Sequence, residues 1–262
     1  MKIRVLGSGG SIPTPRPFCR CPICTQARKE QGRYVRKGQS MYLPEIHALF
    51  DMPESIVQLL NEQCIWDVDH IFFSHFHPDH TLGARAIEQR MAERYQPLEP
   101  VAVHLPESGL QIGINYYASL LDFYHDEGFC TLDQAPDISI GQYCISRIPL
   151  NNGFADGFLI TDGIHRVFYC PCHVGDLSLT CDALHGCDLM ILGSGGIRQS
   201  WEGETSFYDH VLPVIRQYAP KQTVITHLEE FEQYSYDDYC QLEQTLAEYR
   251  LRFAYDGMEI IL

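Results

Sequence analysis

The stretch Phe72–Gly83, "FFSHFHPDHTLG", sets three histidines and an aspartate into six positions as His75-x-His77-x-Asp79-His80. It follows "VDHIFFS" (68–74), an apolar run that reads as a buried strand. An extended chain repeats every two residues, so His75 and His77 project to one side just past that strand. Pro78 stiffens the turn, and Asp79 and His80 then open a helix, where both can point back toward the same side. Imidazole nitrogens with one carboxylate suit zinc, iron or manganese at neutral pH. Four ligand-type residues in six positions, anchored to a buried strand, read as a metal site, with Asp79 also placed to take part in catalysis.

The rest of the chain supplies alternating strands and helices around this point. "KIRVLG" (2–7) reads as a first strand, 41–51 as a bent strand or hairpin, and 54–63 as an amphipathic helix. The pattern predicts helices over 81–95, near 108–124, and over 176–186, 205–219 and 235–247. Strands are expected at 101–106, in several short runs between 129 and 170, at 188–193 and 222–227, and in the closing "GMEIIL". "VLGSGG" (5–10) is echoed by "ILGSGG" (191–196). Both halves start with strands and go on to alternate, so the expected fold is α/β, with two similar half-sandwiches, each a sheet covered by helices on one side. No linker divides the chain, and residues 1–262 read as one domain, with 13–38 as a long ordered excursion rich in Pro, Cys and basic residues.

A net charge of −15 hides an asymmetry. Residues 1–37 hold nine Lys/Arg against the single acid Glu30, which leaves −23 on the remainder. Such a surface repels long nucleic acids, whereas the basic segment could meet a small anionic substrate, or the acidic surface of a second copy of the chain in a homodimer. Eleven cysteines and no signal-peptide pattern point to metal binding and buried thiols in a cytoplasmic setting rather than to a disulfide framework. No apolar run approaches the length of a bilayer span.

The H-x-H-x-D-H stretch resembles the hallmark of the metallo-β-lactamase fold superfamily, and that resemblance implies an αββα sandwich. Asp51 in "HALFDMP" matches its structural aspartate. Three cysteines in "FCRCPIC" (18–24), with "IPLNN" (148–152) and the ending "YDGMEIIL", are similar to the phosphoribosyl cyclic phosphate phosphodiesterase group of phosphonate breakdown. Cys19, Cys21 and Cys24 can grip one structural zinc and staple a loop that lacks its own core. In that group a histidine three residues after the last active-site histidine completes the site; here the position is Glu230, with Cys240 as a spare thiol.

Other positions depart from the pattern. Asn152 stands where the group has a third imidazole for the His75/His77 metal, so Asn152 is expected to contact substrate. Cys172 replaces the bridging aspartate, with His173 beside it as a further substrate contact, and His227 matches the last histidine ligand. The resemblance therefore implies a principal metal on Asp79, His80, Cys172 and His227, with His75 and His77 holding a weaker second one or steering the water of the first. Glu204 falls where the group has a general-acid histidine and could protonate a leaving oxygen if burial raised its pKa. The expected activity is metal-dependent hydrolysis of a small phosphodiester or cyclic phosphate, with bound metal acidifying water toward pKa ~7. The alternative is a non-hydrolytic binding protein of the same fold.

Overall fold

A computed structural model describes residues 1–92, 98–106, 115–197 and 205–262. One sheet contains β1 (Lys2–Gly7), β2 (Ser40–Leu43), β3 (Ala48–Phe50), β4 (His70–Phe72), β5 (Val101–His104), β6 (Cys130–Asp133) and β14 (Met258–Ile261), in the order β14-β1-β2-β3-β4-β5-β6. The other contains β7 (Asp137–Ile140), β8 (Tyr143–Pro149), β9 (Asp156–Thr161), β10 (Arg166–Cys170), β11 (Leu189–Gly195), β12 (Gln222–Leu228) and β13 (Leu251–Phe253), in the order β13-β12-β11-β10-β9-β8-β7. In each sheet four consecutive strands run parallel, β3 to β6 and β10 to β13.

The period-two alternation of the strands decides what meets what. Ile3, Val5, Phe50 and Phe72 face inward from the first sheet and meet Phe158, Val167, Tyr169 and Ile191 of the second. The Phe50 and Phe72 rings stack at 4.8 Å, and Phe158 caps both edge-on at 5.3 and 5.8 Å. The alternate residues Leu49, Ile71 and Phe73 face outward and are covered by α2 (Ile56–Glu62), α4 (Ala86–Arg90) and α5 (Asn115–Asp126). Phe168, Cys170, Met190 and Leu192 do the same beneath α6 (Leu212–Tyr218) and α7 (Tyr236–Thr245). The result is the expected four-layer αββα sandwich.

Two helices differ from expectation. The predicted helix over 81–95 breaks into α3 (Pro78–Thr81), a 3-10 turn (Leu82–Arg85) and α4. There Met52 N donates to His80 O and Gly83 N to Met52 O, so the chain trades helical bonds for contacts with the end of β3. The segment 176–186 holds only short 3-10 turns at Val174–Asp176 and Asp182–Leu184. Ser178 and Thr180 hydroxyls bond each other, and Thr180 N donates to Ser178 Oγ, a local competitor of helix. The strand β13 was not anticipated.

The excursion contains α1 (Pro22–Glu30), which buries only Cys24 and Ala27 and so contributes little core. Its basic residues are largely engaged. Arg16 pairs with Glu230, Lys37 with Glu62, and Arg36 is buried against Thr14 and Tyr234 O. Among the described residues no helix is long and apolar enough to cross a membrane.

Candidate metal centre

The C-terminal ends of parallel strands from both sheets converge on one edge of the sandwich. β4 leads into His75, His77, Asp79 and His80, β10 into Cys172 and His173, and β12 carries His227 near its end. Gly193 on β11 lies so close under this turn that a Cβ would stand 2.0 Å from Pro171 O, so only glycine lets Cys172 reach the site.

Ligand atoms gather in overlapping groups, each within 4.8 Å: His75, His77 and His173; Asp79, His80 and His227; and His75, His80 and Cys172. Cys172 therefore stands at the junction of two trios. His173, reached from a different strand than Asn152, brings a third imidazole to His75 and His77. Asn152 itself turns away: its Oδ1 accepts from Phe154 N (3.0 Å) and Ala155 N (3.1 Å), and its Nδ2 donates to Asp176 Oδ2 (3.0 Å). The side chain holds a turn, with both lone-pair contacts and one amide hydrogen engaged, so Asn152 is a turn residue rather than a stand-in for an imidazole ligand.

Carboxylates stand behind the imidazoles. Asp51 is fully buried; it accepts from Ser74 N (2.8 Å) and from His80 Nδ1 (2.9 Å). Glu229 Oε1 lies 3.4 Å from His227 Nδ1, and Asp176 Oδ2 lies 3.7 Å from His173 Nδ1, at ion-pair rather than hydrogen-bond distance. An ionised carboxylate can only accept, so His80 presents Nδ1–H outward and an Nε2 lone pair inward. The Nε2 atoms of His75, His80 and His173 are buried without a hydrogen-bond partner. Buried, orphaned and convergent nitrogens with carboxylate backing fit metal ligation. Neither Asp176 nor Glu229 was singled out in the sequence; the available signal was an acid two or three residues after a candidate ligand.

Electrostatics follow from this crowding. Burial acts to raise the Asp79 pKa, but His80 and His227 outweigh it and hold the carboxyl well below its usual range. Burial and neighbouring His80 push His75 down to about 4. Cys172 lies well below an ordinary thiol: burial opposes ionisation, and His227, His173 and His75 overcome it. Asp51, His173 and His227 all adopt left-handed backbone, with φ of 59°, 55° and 56°.

A second cluster lies nearby. Glu230 Oε1 is 3.4, 3.1 and 3.0 Å from the Sγ atoms of Cys19, Cys21 and Cys24. Cys240 is elsewhere, beside Tyr236 on α7. Glu204 lies outside the described residues. A cavity of about 410 Å³ opens beside the centre, lined by residues including Ser11, Cys172, His173, Thr205, His227 and Phe231.

A family model described as a beta-lactamase superfamily domain matches residues 48–228. Similar solved structures include a new diphosphatase from the PhnP family, at 17% identity and TM-score 0.78, covering 100% of this chain and 97% of that one. Zn(2+)-bound PqqB from Methylobacterium extorquens aligns over 100% of both chains at 14% identity and TM-score 0.77. The short form of human tRNase Z aligns over 100% of this chain and 99% of its own at 17% identity and TM-score 0.67. No curated protein sequence matches the chain.

Proposed function

The chain belongs to the beta-lactamase superfamily, and from that premise we propose that it is a metal-dependent hydrolase of a small, anionic phosphoester. The observation that carries this reading is the pair of ligand trios, His75/His77/His173 and Asp79/His80/His227, joined at Cys172. In this proposal His173 is a ligand rather than a substrate contact, and two metals rather than one principal metal fit the donor set. Metal held there would supply Lewis-acid polarisation of a phosphoryl oxygen and acidify water. Zinc suits the imidazole and thiolate donors, and manganese or iron suits the imidazole–carboxylate half.

The chain's own residues perform the supporting work. Asp51, Asp176 and Glu229 orient imidazoles, and the cavity of about 410 Å³ has the size of a small-molecule site rather than a polymer groove. The likeness in fold to a diphosphatase and a tRNase supports phosphoester chemistry. The Cys19/Cys21/Cys24/Glu230 cluster is proposed to hold a structural zinc. The non-hydrolytic alternative rests on the departures at Asn152, Cys172 and Glu204, and the clustering of His173 with His75 and His77 speaks to the first of them.

The test is elemental analysis of purified protein with turnover assays on bis-p-nitrophenyl phosphate, cyclic phosphoesters and lactones. The expected result is phosphoester turnover that chelation stops and His77→Ala abolishes. Metal-loaded protein that turns over none of these substrates would overturn the proposal.

A further inference from the structure

Two adjacent glutamates face two different clusters. After β1, residues 8–12 cross to the end of β12 and pair with it: Leu228 N donates to Ser8 O (2.9 Å), Gly10 N to Leu228 O (3.2 Å) and Glu230 N to Ile12 O (3.1 Å). Glu229 is extended, with φ −80° and ψ 140°, so its side chain and that of Glu230 leave opposite faces. Glu230, 1% exposed, reaches the three cysteines. Glu229, 5% exposed, turns back: Oε1 accepts from Ser11 N (2.9 Å) and Ser11 Oγ (3.2 Å), Oε2 accepts from Ile12 N (2.8 Å), and Oε1 faces His227 Nδ1. A Cβ on Gly10 would stand 2.1 Å from Glu229 Oε1 and 2.7 Å from His227 Nδ1, so the absence of a side chain there is what permits the contact.

We propose that Glu229 is a positioning residue that couples the cysteine cluster to the active-site histidine His227. The inference rests on the metal-binding reading above. The excursion has little core, so the hold of Cys19, Cys21 and Cys24 on Glu230 adds to the backbone pairing that seats it against β12. Fixing that cluster fixes Ser11 and Ile12, whose N–H groups fix the Glu229 carboxylate. That carboxylate stands 3.4 Å from Nδ1, so its charge favours a proton on Nδ1 and leaves Nε2 toward Asp79, 3.3 Å away. Metal at the cysteine cluster then raises metal affinity at the active centre, and by linkage the reverse holds.

The experiment is a double-mutant cycle on the full chain, reading active-centre affinity for zinc by chelator competition and cobalt d–d spectra. Cys21→Ser is expected to weaken active-centre binding by about tenfold, within the usual effect of an orienting partner. Glu229→Gln should weaken it similarly and shift the cobalt bands, with the cost of the lost acceptor to the fold read separately from the urea midpoint. In the Glu229→Gln background, Cys21→Ser should add nothing. Should Cys21→Ser fail to fold, Glu230→Gln, which alters a single donor of the cluster, replaces it. Equal losses in both backgrounds, or no loss from Cys21→Ser, would overturn the coupling. Affinity is read without turnover, so intact coupling in a protein that hydrolyses nothing would sink the hydrolase reading and leave this one standing. A wild-type centre that takes up no metal would sink both.

Discussion

His173→Ala removes the imidazole that joins His75 and His77, and nothing in the local sequence replaces it. Asn152 is held by Phe154 N, Ala155 N and Asp176, so it cannot swing in to compensate. An orienting partner of a ligand is worth about 10- to 100-fold in metal affinity, so losing the ligand itself should exceed 100-fold, or about 3 kcal/mol. Asp176→Asn should fall at the lower end, about tenfold, because its 3.7 Å separation from His173 is already beyond a hydrogen bond. Asn152→Ala acts one step further out, by releasing Asp176, and should cost less still. Competition with a chromophoric chelator gives the affinities, and elemental analysis gives the stoichiometry. His173→Ala is expected to lose about one metal equivalent per chain while the cysteine cluster keeps its own. The reasoning is refuted if His173→Ala retains the full complement at unchanged affinity, or if Asn152→Ala proves the most damaging of the three.

Asp51→Asn puts an amide among donors from Ser74 and His80 in a fully buried setting, and should lower stability by about 3–5 kcal/mol in urea unfolding; an unshifted midpoint would contradict that role. His104 offers a test by pH away from the metal centre. Burial, with neighbouring His70, lowers its pKa to about 4, against Asp133 pulling upward and Arg147 pushing down. The unfolded chain binds its proton near 6.5, so His104's contribution is complete above that pH and is lost as pH falls toward 4. His104→Phe keeps the stacking on Phe72 and removes the titration; it should flatten the stability profile across that window by about 2–3 kcal/mol, and an unchanged slope would count against the assignment.

Short continuous apolar runs in "VDHIFFS", "RVFYC" and "DLMILG" were enough to read these strands, because both of their faces are buried and that is written locally. The helices over 81–95 and 176–186 were misread because bonds from the end of β3, and hydroxyls at Ser178 and Thr180, compete with helix there. The same divide runs through the site. His75 to His80 are neighbours in sequence, and their convergence follows from spacing. The meeting of His173 with His75 and His77 depends on how β10 packs across from β4, which no spacing encodes. Asn152 shows the converse: it aligns with a ligand position, yet its hydrogen bonds make it a turn residue.

Asp51, His173 and His227 share a further consequence through their left-handed backbone. A non-glycine residue there carries a conformational cost on the order of 1 kcal/mol or more. Glycine would relieve the backbone at each position and abolish the chemistry. The fold carries that strain whether or not the centre is filled, and whatever binds the centre adds stability by mass action, seen as a rise in melting temperature. Selection for thermal stability alone would press on His173 and His227, whereas Asp51 is kept by its buried hydrogen bonds to Ser74 and His80.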